Sequence, residues 1–240
     1  MRGIILSGGQ GTRLRPLTCI TSKQLLPVYN RPMIYYPLNT LLKAGIKEIL
    51  IIVAPERAGD YSNLLGSGKE FGVKFTYEIQ DEPRGLAEAL IIGENFIDKQ
   101  NVALILGDNI FEDDFSEEIK NFKSGGKIFA KKVADPSRFG VVDFSSGKAK
   151  RIVEKPKEFI SDFAVTGLYL FDSRAAEIAK NLKPSARGEL EITDVNNWYL
   201  EKGELEVAKV DGAWIDAGTF DSLLEAQILA KEKLAGKMVI

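Results

Sequence analysis

Short apolar runs recur through the first half of the chain, each closed by turn-forming residues. Between them lie stretches whose apolar positions recur every three or four residues. Residues 3–7, G-I-I-L-S, predict a strand buried on both faces that feeds the loop Gly8-Gly9-Gln10-Gly11. Residues 48–53 and 102–106 have the same character, and residues 74–78 alternate as a half-buried strand does. Ile34, Leu38, Leu41 and Leu42 share one helical face. They predict a helix that opens near Pro32, a residue suited to a first turn, and stops before Gly45. Pro37 predicts a kink in it. Leu86, Ala89, Leu90 and Ile97 give the face of a further helix. Strands alternating with helices predict a mostly parallel sheet covered on both faces. Ligands of such sheets bind outside the carboxyl ends of the strands, where Ser7-Gly8-Gly9 and Gly107-Asp108-Asn109 both fall.

After about Ser124 the pattern changes. Strand-like pieces crowd together at 127–133, 140–144, 149–154 and 165–171. Helical patterns follow at 173–182 and 192–202, then a strand at 204–210 and a short segment ending in Ile215-Asp216. Thr219 is placed to cap a last helix that reaches about Leu234. No linker, repeat or low-complexity tract interrupts the chain, so a single domain over residues 1–240 is expected. The fold class is α/β: a Rossmann-like three-layer α/β/α arrangement, with a mostly parallel mixed central sheet and a smaller β-rich subregion.

Composition narrows the chemistry. A chain of 240 residues, 45% apolar and 28% charged, can bury a full core. A net charge of −2 argues against nucleic acid as a partner. No apolar run approaches the ~20 residues that span a bilayer, so no membrane partner is expected. Structure predicted from Gly3 leaves no room for a signal peptide. The lone Cys19 excludes an internal disulfide and suits a reducing cytoplasm. The chain has no histidine. Ser-His and Cys-His catalysis, the usual neutral-pH proton shuttle and almost all zinc chemistry are thereby removed.

Four constellations remain. The first is Gly8-Gly9-Gln10-Gly11-Thr12-Arg13, whose glycines let backbone amides approach phosphate and whose arginine adds a cation. It fits neither G-x-G-x-x-G nor the Walker loop, and alone it reads as well as a structural turn. Lys23, in Ser22-Lys23-Gln24-Leu25-Leu26-Pro27, follows closely enough to return to the same phosphates, although a lone lysine is usually a solvated surface residue. The second is the pair Asp108 and Asp216, each ending an apolar segment. Magnesium prefers one or two carboxylates plus phosphate oxygens and water, although either aspartate alone reads as a turn residue. The third joins Phe139-Gly140-Val141-Val142, Glu154-Lys155-Pro156 and Ala164-Val165-Thr166-Gly167: a glycine for close approach, a carboxylate for hydroxyls and a lysine for phosphate. The fourth is the run 184–194, P-S-A-R-G-E-L-E-I-T-D, with Arg187 as a second phosphate clamp and Asp194 as an ordinary helix-start residue.

Together these stretches resemble glucose-1-phosphate thymidylyltransferases, and the likeness runs through nearly the whole chain. G-G-Q-G-T-R-L marks the wider sugar nucleotidyltransferases, while S-K-Q-L-L-P and P-S-A-R-G-E-L-E-I-T-D are narrower and look like the thymidylyltransferase branch. The resemblance implies dTTP and glucose 1-phosphate as substrates and Mg²⁺ as cofactor. It also implies a nucleotide half at 1–124 and a sugar-phosphate half at 125–240. By matching position, Leu6, Gly8, Gly9, Gly11, Thr12, Arg13 and Lys23 hold the nucleotide and its triphosphate. Gln24, Gln80 and Gly85 lie at the base, and Asp108 and Asp216 hold the metal. Asn109, Gly140, Glu154 and Val165 match sugar contacts, Lys155 and Arg187 the clamp on the sugar phosphate, and Trp214 a wall near the reacting phosphates. Arg13, Lys23, Lys155, Asp108 and Asp216 form the implied catalytic set. Longer members continue beyond the position of Ile240, which puts feedback inhibition and a tetramer in question; a cytoplasmic homo-oligomer is the expectation. Ala217 stands where threonine is common. UTP in place of dTTP is the nearest rival, because the two bases differ by one methyl, worth about 1–3 kcal/mol in a pocket. A non-catalytic nucleotide-sugar sensor is the rival of another class, disfavoured by the survival of all five catalytic positions.

Overall fold

The computed structural model describes residues 1–145 and 148–240. Four strands, β1 (Arg2–Ser7), β2 (Glu48–Val53), β3 (Lys74–Ile79) and β4 (Val102–Leu106), run parallel in the order β4-β1-β2-β3. Leu6 of β1 lies opposite both Ile52 and Leu106, so the carboxyl ends are level and open on one edge. The apolar runs work by alternation. Ile4, Leu6, Leu50, Ile52 and Leu104 face one layer, and Ile5, Ile49, Ile51, Ala103 and Ile105 face the other. α1 (Tyr35–Lys43) and α2 (Ala58–Leu65) cover the second face through Leu38, Leu41, Tyr61 and Leu65. α3 (Glu88–Ile92) and α4 (Glu94–Ile97) cover the first through Ala89, Leu90 and Ile97. Fully burying each such aliphatic side chain contributes about 1.5–3 kcal/mol.

The second half of the chain extends the same sheet. β5 (Asn109–Phe111) and α5 (Ser116–Asn121) lead to β6 (Gly126–Lys132), β7 (Gly140–Ser145), β8 (Lys148–Glu154) and β9 (Phe163–Phe171). β9 lies antiparallel beside β4, giving the order β8-β7-β9-β4-β1-β2-β3. β6 pairs with β9, and β10 (Leu205–Lys209) adds to β6 in parallel, for nine strands. α6 (Ala175–Lys180) and α7 (Ile192–Glu201) join the first layer. Against β6 the register of β9 shifts between Val165 and Tyr169, a bulge that carries Thr166 and Gly167 to the open edge.

A smaller core locks the glycine loop to the end of the chain. Leu14, Leu26, Val28, Met33 and Tyr36 pack with Ile110, Ala217, Leu223, Ala226 and Leu229. The last three lie on α8 (Phe220–Leu229), which opens in a capping box. Thr219 Oγ1 accepts from the Ser222 amide, and Ser222 Oγ accepts from the Thr219 amide. Such a cap is worth about 1 kcal/mol. A wider π-helical turn, Ala230–Leu234, continues it. No described helix is long and apolar enough to cross a membrane.

Two helices depart from the sequence pattern. The helix expected near Pro32 opens instead at Tyr35, because Arg31–Pro32 pairs with Pro27–Val28 in a short hairpin. Pro37 then falls in the first helical turn, where its missing amide breaks no helical bond and no kink is required. The helix expected through 86–97 is two short helices parted at Gly93.

Candidate active site

The carboxyl edge of the sheet holds a cleft with two lobes. The smaller, about 220 Å³, is lined by Leu6, Gly9, Lys23, Gln24, Gln80 and Gly85 among others. The larger, about 520 Å³, includes Arg13, Asn109, Gly140, Glu154, Lys155, Val165, Arg187, Trp214 and Asp216 in its wall. Both lobes share Leu86, Leu106, Asp108 and Glu189. Leu6, Gly9, Lys23, Gln24, Gln80 and Gly85, expected at the nucleotide, line the smaller lobe, and the positions expected at the sugar phosphate line the larger, but Arg13, expected at the triphosphate, lines the larger lobe alone. Gly8, Gly11 and Thr12 form the loop beside the smaller lobe without lining it. A broader depression of about 810 Å³ lies elsewhere, around Lys47, Phe71 and Lys120, and holds none of these residues.

Local structure explains how the smaller lobe is built. β1 ends at Ser7, and the chain passes Gly8 hard against Gln80, where a Cβ would sit 2.1 Å from Gln80 Oε1. Any side chain there would displace the Gln80 carboxamide. Gly11 follows at φ 63°, and the turn Thr12–Leu14 begins. Among the described residues, the amides from Gly8 through Arg13 donate to no other backbone group, so a run of N–H groups is free at the strand end. Gly85 stands at φ 110° with the Leu190 carbonyl 2.4 Å from where its Cβ would be, so this wall of the smaller lobe is pinned to the connection between α6 and α7.

The two aspartates meet through a strand pair too short to show in a periodicity. β11 (Trp214–Asp216) runs antiparallel to β5, with Asp216 opposite Asn109. The Ala217 amide donates to the Asp108 carbonyl at 3.0 Å. Lys23, buried at the start of a short turn, makes a close ion pair with the Asp108 carboxylate. Asn109 Nδ2 donates to the other Asp108 oxygen at 2.9 Å. Asn109 is itself fixed, because its Oδ1 accepts from Trp214 Nε1 at 2.6 Å and from the Gly167 amide in the β9 bulge at 3.0 Å.

The charges in this centre are unequal. Burial acts to raise the Asp108 pKa, but the Lys23 charge and the hydrogen bonds from Lys23 and Asn109 outweigh it and hold the carboxyl below its ordinary 3.8. Burial acts to lower the Lys23 pKa, and Asp108 and Asp216 together overcome it and push the ammonium upward. Burial, then the charge of Asp108, pushes Asp216 up to about 6. Asp216 Oδ1 is buried without a hydrogen-bond partner among the described residues. Lys23, Arg13 and Arg138 act on its charge, yet this oxygen has no donor of its own, and a buried carboxylate oxygen so placed is fitted to a ligand that brings one or to a cation. Among the described residues no cluster of three or more metal-ligating side chains forms. Asp108 and Asp216 are the two carboxylates here that could hold a divalent ion and leave coordination for phosphate oxygens and water.

A raised folded-state pKa means that charging Asp216 costs stability. That cost is absent below pH 3.8, grows as the pH rises towards 6 and is full above it. Asp216→Asn should therefore raise the Tm of the ligand-free protein by roughly 3–6 °C at pH 8. The gain should shrink as the pH is lowered from 7 to 5. Thermal melts across that range test it, and a Tm below wild type at pH 8 would show that the charge is not a burden.

The larger lobe differs from the sequence picture in one respect. Arg187, placed there as a phosphate clamp, is met by three carboxylates: Glu191 at 2.8 Å, Glu189 at 3.2 Å and Glu154 at 3.4 Å. Those carboxylates hold its guanidinium charge firmly, against burial that acts the other way. Glu154 also accepts from Thr193 Oγ1 at 2.6 Å. Lys155 is held in the left-handed region at φ 42°, its amide donating to the Phe139 carbonyl at 2.9 Å. Such a backbone costs about 1–2 kcal/mol in a residue other than glycine, and its place at the lobe wall gives the strain a use. Arg138, which sequence reasoning missed, also lines this lobe, packs over the Phe139 ring at 5.5 Å and adds positive charge near Asp216. Its only sequence signal was its place before Phe139-Gly140.

The chain matches the family model described as nucleotidyl transferase over residues 2–233. It is 54% identical over 233 residues to the glucose-1-phosphate thymidylyltransferase of Neisseria meningitidis, covering 94% of this chain and 81% of that one. The enzyme of the same name from Mycobacterium tuberculosis is also 54% identical, with the same coverage. A Bacillus anthracis crystal structure, assigned as a glucose-1-phosphate thymidylyltransferase and solved with sucrose, superimposes with a TM-score of 0.92 at 51% identity. That match covers 97% of this chain and 96% of the other.

Proposed function

This chain belongs to the nucleotidyl transferase family, and on that premise we propose that it transfers dTMP from dTTP to glucose 1-phosphate, giving dTDP-glucose and pyrophosphate. The observation that carries the reading is the two-lobed cleft whose chambers meet at Asp108, beside Lys23 and Asp216. A transfer between two anions needs two adjoining sites and a charged centre between them.

Leu6, Gln24, Gln80 and Gly85 take the base and its nucleoside in the smaller lobe. The free amides of the loop from Gly8 through Gly11 and Thr12, with Arg13 and Lys23, hold the triphosphate. Glucose 1-phosphate occupies the larger lobe, its sugar against Asn109, Gly140, Glu154 and Val165, its phosphate between Lys155, Arg138 and Arg187, with Trp214 closing the side. Asp108 and Asp216 hold Mg²⁺, which when bound supplies positive charge to the reacting phosphates. The sugar phosphate attacks the α-phosphorus of dTTP in line, the new P–O bond forms, and the bond to pyrophosphate breaks. The second pKa of a phosphate monoester is ~6, so the nucleophile is already an anion at pH 7 and the absence of histidine is no obstacle. What the protein must supply is alignment and cations. The carboxylates around Arg187 hold its fork in place before the sugar phosphate arrives.

The same reading places the protein in the cytoplasm as a homo-oligomer. Phe220, Leu224 and Ile228, exposed at a four-residue spacing on α8, offer a second copy an apolar face. Pyrophosphate release, measured with each nucleoside triphosphate against a set of sugar phosphates and Mg²⁺, tests the activity. The expected result is fastest release with dTTP and glucose 1-phosphate, and a protein that binds dTDP-glucose but releases no pyrophosphate would be a sensor instead.

A further inference from the structure

Gln80 and Gln24 end in carboxamides, and a carboxamide can turn either its oxygen or its nitrogen towards a ligand. What the base meets therefore depends on what stands behind each amide. Behind Gln80 stands Glu88, the first residue of α3, a carboxylate only 3% exposed. Gln80 Nε2 donates to Glu88 Oε2 at 2.8 Å. Arg84 closes the other side, with Nε 2.8 Å and Nη2 2.6 Å from Glu88 Oε1 and its amide 3.2 Å from Oε2. An ion-paired carboxylate only accepts hydrogen bonds. Gln80 must then give its nitrogen to Glu88 and turn its oxygen forward, which is where Oε1 lies, against Gly8. Among the described residues Oε1 has no partner of its own.

Gln24 is set the opposite way. Its Oε1 accepts from Ser22 Oγ at 2.8 Å and from the Tyr61 hydroxyl at 3.2 Å, which leaves Nε2 as the forward group. The lobe thus presents one acceptor and one donor. A pyrimidine whose ring N–H meets Gln80 Oε1 and whose neighbouring carbonyl meets Gln24 Nε2 complements that pair. Cytosine in the same register does not: its ring N3 would face the Gln80 oxygen and its exocyclic amine the Gln24 nitrogen.

We infer that Glu88 is a positioning residue for base selection, acting through Gln80 by forbidding the flipped amide. This rests on the nucleotide reading of the smaller lobe. Glu88 cannot tell thymine from uracil, which share the N–H and carbonyl edge, and its effect is confined to the choice between that edge and cytosine's.

The test is Glu88→Gln, which keeps the size of the side chain but can either donate to Gln80 or accept from it. Initial rates of pyrophosphate release with glucose 1-phosphate are compared for dTTP, dUTP and dCTP. The expected result is a preference for dTTP over dCTP that falls at least tenfold from its wild-type value. The change lies mainly in KM, while kcat with dTTP and the dTTP-to-dUTP ratio stay within about twofold. A merely structural role would lower all three nucleotides together and leave the ratios alone, and that outcome, or an unchanged dCTP ratio, overturns the inference. Should the glutamine variant melt well below wild type, Glu88→Asp carries the test. It retains an acceptor-only group beside Gln80 and is expected to retain the preference for dTTP over dCTP, whose loss would likewise overturn the inference. Wild-type protein that shows no dTTP-dependent transfer would defeat the proposed function itself, which separates the two failures.

Discussion

Asp108→Asn is expected to lower kcat/KM by about 10³-fold or more, ~4 kcal/mol of transition-state stabilisation, while the fold persists. The reason is position. Asp108 is the residue at which both lobes meet, and its carboxylate binds Lys23 on one oxygen and Asn109 on the other. Removing its charge takes away one of two carboxylates available to a divalent ion. It also releases Lys23 from the place where, on the proposed reading, it meets the phosphates. Breaking a buried ion pair usually costs stability, but here Asp216 remains beside Lys23 and loses a like-charged neighbour. The Tm should therefore change by only a few degrees. Near-normal turnover of this variant, with Mg²⁺ as the sole divalent ion, would remove Asp108 from the metal site.

Lys23→Met separates two uses of one lysine. In the ligand-free protein Lys23 is the counter-ion of Asp108, which on its own would make it a structural residue. As a phosphate-binding cation it must also serve turnover. The variant leaves Asp108 and Asp216 buried together without the ammonium, and losing one partner of such a pair costs about 3–5 kcal/mol. A Tm lower by roughly 6–15 °C at pH 8 follows. Without Lys23 the folded-state pKa of Asp108 rises, so the penalty is present above that pKa and should shrink as the pH falls from 8 to 5. Mg²⁺ should raise the Tm of this variant more than that of wild type, because the ion replaces the missing charge. Turnover should fall by about 10²–10³-fold even in saturating Mg²⁺. A stability loss that Mg²⁺ repairs together with full activity would make Lys23 a counter-ion alone.

The layers of the fold were legible because the apolar runs of β1, β2 and β4 are buried on both faces, and such runs leave little ambiguity. Thr219 was legible as a cap because hydroxyls at that position have one local use. Pro32 misled, because a proline suits a hairpin arm as well as a first turn, and only the pairing with Pro27 decides between them. The meeting of Asp108 and Asp216 rests on two three-residue strands, β5 and β11, too short for any periodic signal. The glycine loop was ambiguous as a sequence. What gives it meaning is the contact between Gly8 and Gln80, which joins residues far apart in the chain. Arg138 and Glu88 were missed for one reason: charged side chains are usually solvated, and nothing local in the sequence says that one lines a cleft or that the other is buried behind a glutamine. The acids that grip Arg187 lie in its own motif, yet spacing alone did not separate a clamp on phosphate from a clamp on itself.

The central claim is that the cleft joins the α-phosphate of dTTP directly to a sugar phosphate. It is tested most directly by following label from [α-³²P]dTTP and [γ-³²P]dTTP in parallel, with and without glucose 1-phosphate. The account predicts that the α label appears in dTDP-glucose and the γ label in pyrophosphate, both only when the sugar phosphate is present. It also predicts no exchange of labelled pyrophosphate into dTTP in its absence. Pyrophosphate released, or exchanged, without glucose 1-phosphate would contradict it, because the dTMP group would then be passing to water or to the protein rather than across the cleft.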